Sequence, residues 1–175
     1  MAKAADKASY VEGGKFLTFQ LSDEEYGLEI LKVREIIGLM DITTVPQTPD
    51  YVKGVVNLRG QVIPVIDLRL KFGLNEGDYG KRTCIIVVDV GGVMMGIVVD
   101  TVSEVMDIVS ENIEQTPSFG TKLNTDYILG MGKVNERVKI LLDIDKVLTA
   151  EDLVLIDEIQ KEKAVEAETE AQTQE

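Results

Sequence analysis

Histidine and tryptophan are absent from this 175-residue chain, and Cys84 is its single cysteine. Without histidine, Ser-His and Cys-His nucleophile pairs and histidine metal sites are excluded; with one cysteine, so are paired-cysteine zinc sites. Cys84 opens the apolar run CIIVVDV and reads as a reduced core residue, which suits the cytosol. Positive charge is scarce: 18 Lys and Arg stand against 31 Asp and Glu, a formal net charge of −13. That balance argues against nucleic acid and against an anionic membrane surface, since both require concentrated Lys and Arg. Nowhere do roughly 18 uncharged apolar residues run together, and MAKAADKASYVEGGKFLTFQLSDEE at the start has no apolar signal core, so neither membrane insertion nor export is expected. The sequence predicts a cytoplasmic protein.

What the chain does have is a series of short apolar runs bounded by turn residues: 15–21, 26–30, 33–43, 53–58, 61–68, 82–90, 93–100, 102–109, 127–134 and 137–144. This spacing predicts a mainly β fold, barrels or a sandwich. DVGGVM predicts a hairpin with Gly91-Gly92 in its two-residue turn. Pro64 is expected at an edge or bulge, where its missing N–H is not needed. AEDLVLIDEIQKEK (150–163) predicts one helix, capped by Thr149 with Asp152 three residues on, with Leu153, Leu155, Ile156 and Ile159 facing the core. Residues 1–14 and the acidic tail AVEAETEAQTQE carry too little apolar surface to offset ordering and are expected to be disordered. The organised domain then spans 15–158, with the helix end and tail at 159–175.

The chain also resembles itself. YGLEILKVREI (26–36) aligns without a gap on MGIVVDTVSEV (95–105), and GVVNLRGQVIPVIDLRLKF (54–72) resembles GKVNERVKILLDIDKVL (132–148). The second match pairs Asn57 and Arg59 with Asn135 and Arg137 and needs a two-residue deletion before Leu141. Two related units, about 15–72 and 82–148, would leave a groove between them suited to an elongated partner.

Catalytic chemistry finds little support. Asp67, Asp89, Asp100 and Asp143 each end an apolar run, and such carboxylates are usually solvated or hydrogen-bonded strand ends rather than acid-base pairs. Gly130-Met131-Gly132 lacks the context of a phosphate loop. Binding is better supported. Tyr51, Lys53, Asn57 and Arg59 gather around one tight turn, and the five-donor fork of arginine suits a bidentate carboxylate. That carboxylate is either internal, with Glu35 and Asp67 as candidates, or presented by a partner. Phe119, amid the loop QTPSFGTK, either anchors an interface or plugs the end of a barrel.

The blocks YGLEILKVREIIG, TPDYVKGVVNLRGQVIPVIDLRLKFG, GIVVDTVSEVMDI and YILGMGKVNERVKILLDIDKVL resemble the CheW-like domain family over about residues 15–158. The resemblance implies two five-stranded β-barrel lobes, SH3-like or OB-like, with strands exchanged between them and a C-terminal α-helix. It implies a non-catalytic adaptor without cofactor or metal. Such an adaptor links transmembrane chemoreceptors to the regulatory domain of the histidine kinase CheA at receptor arrays beneath the inner membrane. Carried over by position, receptor binding falls on Val33, Glu35, Gly54, Asn57, Arg59, Gly60, Val98 and Val105. Kinase binding falls on Ile37, Met40, Ile42, Val45 and Phe119. Of the two matched arginines, Arg59 is expected to face a partner and Arg137 to be structural.

Overall fold

In the computed structural model, residues 12–75, 77–116, 126–148, 152, 154–159 and 161–162 are described. Each of the ten apolar runs forms a strand: β1 (Gly14–Leu21), β2 (Glu24–Glu29), β3 (Val33–Gly38), β4 (Val52–Leu58), β5 (Gln61–Asp67), β6 (Cys84–Val90), β7 (Val93–Val99), β8 (Thr101–Ile108), β10 (Ile128–Val134) and β11 (Arg137–Leu142). A further two-residue strand, β9 (Ile113–Glu114), has no counterpart among the expected runs. Two one-turn helices follow β5 and β11, α1 (Leu68–Lys71) and α2 (Ile144–Val147). The C-terminal residues 152, 154–159 and 161–162 are helical (α3), whereas the expected cap Thr149, Leu153, Phe119 and both chain ends lie outside the described residues.

The strands form two sheets, one of order β8-β1-β2-β11-β10-β9 and one of order β3-β6-β7-β5-β4. Each sheet takes one hairpin from one half of the chain and the rest of its strands from the other, four in the six-stranded sheet and three in the five-stranded sheet. The hairpin β1-β2 is flanked by β8 and β11, and β6-β7 by β3 and β5. The pairing matches residue by residue. Leu141 lies parallel to Gly27 and Val65 parallel to Gly96. Ile36 pairs with Ile86 as Val105 pairs with Leu17, and both ladders carry a bulge at the same place.

These registers correct the second alignment read from sequence. Val52 and Gly54 face Ile66 and Val65 across a bulge, and Ile128 and Gly130 face Leu142 and Leu141 across another. The offset is therefore 76 from Gly54/Gly130 through Val65/Leu141, with no deletion. Arg59 corresponds to Asn135, and Arg137 to Gln61. The VNxR similarity is displaced by two residues because it matched side chains, while the register is set by the bulge and the turn. Thr43, which bridges Val55 in isolation, corresponds to Glu114 of β9 opposite Met131, so the extra strand of the first sheet has a one-residue analogue in the second.

Pro64 sits in β5, between β4 and β7, and is buried. The N–H and carbonyl of its partner Val55 are turned the other way, toward Thr43. The proline nitrogen thus faces the β7 side, where the parallel ladder begins one residue later at Val65, and no ladder hydrogen bond is lost. The expected hairpin is present, with Gly91 and Gly92 at φ +59° and +85°.

Alternation sends one set of side chains from each sheet into a shared core containing Leu17, Phe19, Leu28, Ile86, Val88, Ile97 and Leu142. The opposite faces build separate interiors: Val56, Ile63, Val65, Ile85, Val87 and Val98 in the five-stranded lobe, and the smaller set Phe16, Ile108 and Leu141 in the six-stranded lobe. Full burial of one such side chain contributes roughly 1.5–3 kcal/mol. Cys84 is half-buried against the shared core. Helix α3 docks Leu155 and Ile159 on Val52 and Val55. At its start Asp152 accepts hydrogen bonds from the Tyr51 hydroxyl and from Lys71 Nζ, and burial together with that carboxylate holds the Tyr51 phenol well above its ordinary range.

Candidate functional site

Leu58 and Gln61 pair across the end of the β4-β5 hairpin, leaving Arg59 and Gly60 as its two central residues, at φ +52° and +85°. This is the two-residue turn whose twist matches the flanking strands; glycine meets its left-handed requirement at the second position without a Cβ penalty. Asn57 Oδ1 accepts the Gly60 N–H at 2.8 Å and fixes the turn. Held this way, the Arg59 guanidinium reaches β3 and donates to both carboxylate oxygens of Glu35, at 2.9 and 2.5 Å. Because β3 and β4 are the two margins of one sheet, the pair spans those margins. The hydrogen bond from Arg59 holds the Glu35 carboxyl below the usual carboxylate range.

Of the two internal partners considered for Arg59, Glu35 is therefore the one used. Asp67 is buried and accepts from the Arg69 and Leu70 amides and the Tyr79 hydroxyl, which makes it a helix cap. Arg59 is nevertheless 70% exposed. A carboxylate from another molecule can compete with Glu35 for the fork, and a cation can compete with Arg59 for Glu35, each exchanging one charge-assisted pair for another.

Val33 shares β3 with Glu35 and is half-buried against the shared core. Gly54 is buried and offers no contact surface. Val98 is 3% exposed and lies in the interior of the five-stranded lobe, so its assignment as a surface contact is corrected: β7 is a central strand, covered on both faces. Val105 is 50% exposed, on the edge strand β8 of the other sheet. The structure thus brings Glu35 of one margin, with Val33 two residues before it, to the turn of Asn57, Arg59 and Gly60 at the other, and leaves Gly54, Val98 and Val105 outside that junction.

In the segment Ile37–Val45, the side chains of Ile37, Met40 and Ile42 pack half-buried on the interior of the five-stranded lobe, and Val45 packs beneath α3. The exposed large apolar groups in and beside that segment are Leu39 and, just before it, Ile36, which the sequence reading passed over. The period-two alternation of β3 would have found Ile36, since neighbours on a strand face opposite sides. Arg34 also escaped notice; it pairs with Asp89 at 2.9 Å, and that bond, with the Gly92 amide, holds Asp89 below the usual carboxylate range. Asp143 caps α2, and Asp100 accepts from Arg69 and the Ser22 amide. Among the described residues, no three Cys, Asp or Glu side chains gather where they would hold a metal ion, and no helix is long and apolar enough to cross a membrane.

The chain matches the model of the CheW-like domain over residues 15–152. It belongs to the CheW-like domain family. Among relatives of this CheW-like chain, Chemotaxis protein CheW of Klebsiella aerogenes is 44% identical over 92% of this chain and 97% of its own length. Chemotaxis protein CheW of Helicobacter pylori is 38% identical over 77% and 81%. The crystal structure of the scaffolding protein TtCheW from Thermoanaerobacter tengcongensis superposes with a TM-score of 0.72 at 34% identity, covering 80% of this chain and 95% of that one.

Proposed function

We propose that this CheW-like chain is a non-catalytic adaptor of bacterial chemotaxis, coupling transmembrane chemoreceptors to the histidine kinase CheA. The observation that carries the reading is similarity to a chemotaxis protein along nearly the full length, 44% identical over 92% of this chain and 97% of the relative, together with likeness to a solved scaffolding protein. The receptor's helical hairpin docks along the margin built by Val33, Glu35, Asn57, Arg59 and Gly60 and reaches Val105. The kinase regulatory domain takes a separate surface over Ile37–Val45, with Phe119 as a further contact. Two surfaces on one double-lobed body raise the effective concentration of receptor and kinase for each other, and a receptor rearrangement then biases the kinase equilibrium. Work of this kind takes place in the cytoplasm, beside the membrane that carries the receptors.

The exposed Arg59–Glu35 pair supports the receptor surface because it is a bidentate carboxylate site already shaped and still accessible. Co-titration of the chain with a receptor cytoplasmic fragment and the CheA regulatory domain is expected to give a ternary complex. Arg59→Ala is expected to weaken the receptor arm by about tenfold while the cooperative melt is kept with only a small drop in melting temperature. Binding of neither partner, or strict competition between them, overturns the reading.

A further inference from the structure

We propose that Gly54 is a positioning residue for the kinase-facing segment and not a receptor contact, an inference that rests on the adaptor reading above. Gly54 is buried, and its φ of +142° lies where L side chains rarely go. A Cβ built there would overlap the Thr43 carbonyl and stand 3.0 Å from Ile42 Cγ2. The missing side chain is what lets Thr43 lie flat against β4. The Thr43 N–H donates to the Val55 carbonyl at 2.8 Å and the Val55 N–H donates back at 2.9 Å, the one isolated bridge among the described residues. With Thr43 pinned there, Met40 and Ile42 on one side fill the lobe interior and Val45 on the other reaches α3.

The other lobe supports this assignment. Gly130 occupies the corresponding position without a positive φ, and its incoming segment is held by a pair of ladder positions, Met131 with Glu114 and Gly132 with Ile113. The five-stranded lobe has a single bridging residue, so its incoming segment depends on the one backbone conformation that glycine supplies. A side chain at 54 must push Thr43 away, and the 39–45 stretch with it, whatever it does to the Arg59 turn.

The test compares Gly54→Ala with Thr43→Pro, which removes the bridging N–H while leaving Gly54 intact. In both variants the Val55 amide is expected to exchange with solvent about a hundredfold faster while the Val87 and Ile97 amides keep their native rates. Kinase-domain affinity is expected to fall about tenfold and receptor-fragment affinity to stay within about twofold. Native protection at Val55 in Gly54→Ala overturns the proposal alone. A selective loss of receptor binding in Gly54→Ala that Thr43→Pro does not share also overturns it, because Gly54 would then act directly. Lost protection with kinase affinity unchanged overturns the placement of the kinase on this segment, and the proposal with it.

Discussion

Where the six-stranded sheet joins its two halves, Lys139 and Glu25 meet across the parallel strands β11 and β2, with Nζ 2.7 Å from the carboxylate and the lysine 8% exposed. At the corresponding positions of the five-stranded sheet stand Ile63 and Met94, both part of an apolar interior. At the margins the contrast reverses. The five-stranded sheet ties its edges with Arg59 and Glu35, whereas the other has Asn135 and Glu104, whose backbone is held instead by the Thr18 hydroxyl. Backbone devices are common to both lobes: bulges, hairpin lengths, the capping aspartates Asp67 and Asp143, and their amides donating to Tyr51 and Tyr127 at 2.8 Å. Side chains differ both in the lobe interiors and at the sheet margins. The two units keep what sets the register and differ in the side chains it carries.

The sharpest way to break the comparison is to move one lobe's interior into the other. Lys139→Ile alone leaves Glu25 with only Arg137, 4.0 Å away, and is expected to cost about 2 kcal/mol in chemical denaturation. Adding Glu25→Met completes the apolar pair of the second lobe and is expected to restore stability to wild type or above, because a well-packed apolar pair avoids desolvating two charges. A double variant no more stable than the single would mean that the two interiors are not interchangeable. A smaller effect lies at the turns. Asn135 and Glu136 adopt φ +51° and +65°, the second where the other lobe has Gly60. Glu136→Gly is expected to stabilise the chain by about 0.5–1 kcal/mol, read as a shift in denaturation midpoint.

The smallest effect separates the margins. Glu35 is held below its ordinary value of 4.5 by Arg59. A carboxylate whose folded value is depressed adds stability above its unfolded value and loses it as the pH falls through the folded one. The Arg59–Glu35 contribution is therefore complete above about pH 4.5 and fades in more acidic solution. NMR titration is expected to place the Glu35 midpoint below its ordinary value, and Arg59→Ala to raise it toward that value. A Glu35 midpoint unmoved by Arg59→Ala would remove the ion pair as its cause.

Much of this was legible in the chain. Short apolar runs bounded by turn residues located all ten long strands, and Gly91-Gly92 announced its hairpin, because strand composition and turn chemistry are local. The exchange of strands was not derivable from periodicity, since β2 meets β11 over 114 residues of chain. The same distance hid the Lys139–Glu25 pair. Arg59 stood out in sequence as an arginine at a tight turn, but which carboxylate answered it depended on two sheet margins meeting. Val98 misled for the opposite reason: an apolar residue in a strand covered on both faces has no solvent side to distinguish it from one at an edge.

Strand exchange also sets the order in which the chain can take shape as it is made. Every strand of the five-stranded sheet lies between Val33 and Val99, so that sheet can close its ladder while the remainder is still in the ribosome. The opening hairpin must wait, first for β8 and then for β11, and its apolar face stays unpaired until Leu142 has emerged. A nascent chain that has emerged only to just past Val99 would carry one closed five-stranded sheet, still without α3, and one orphan hairpin, a species open to chaperone capture or to pairing with a neighbouring chain.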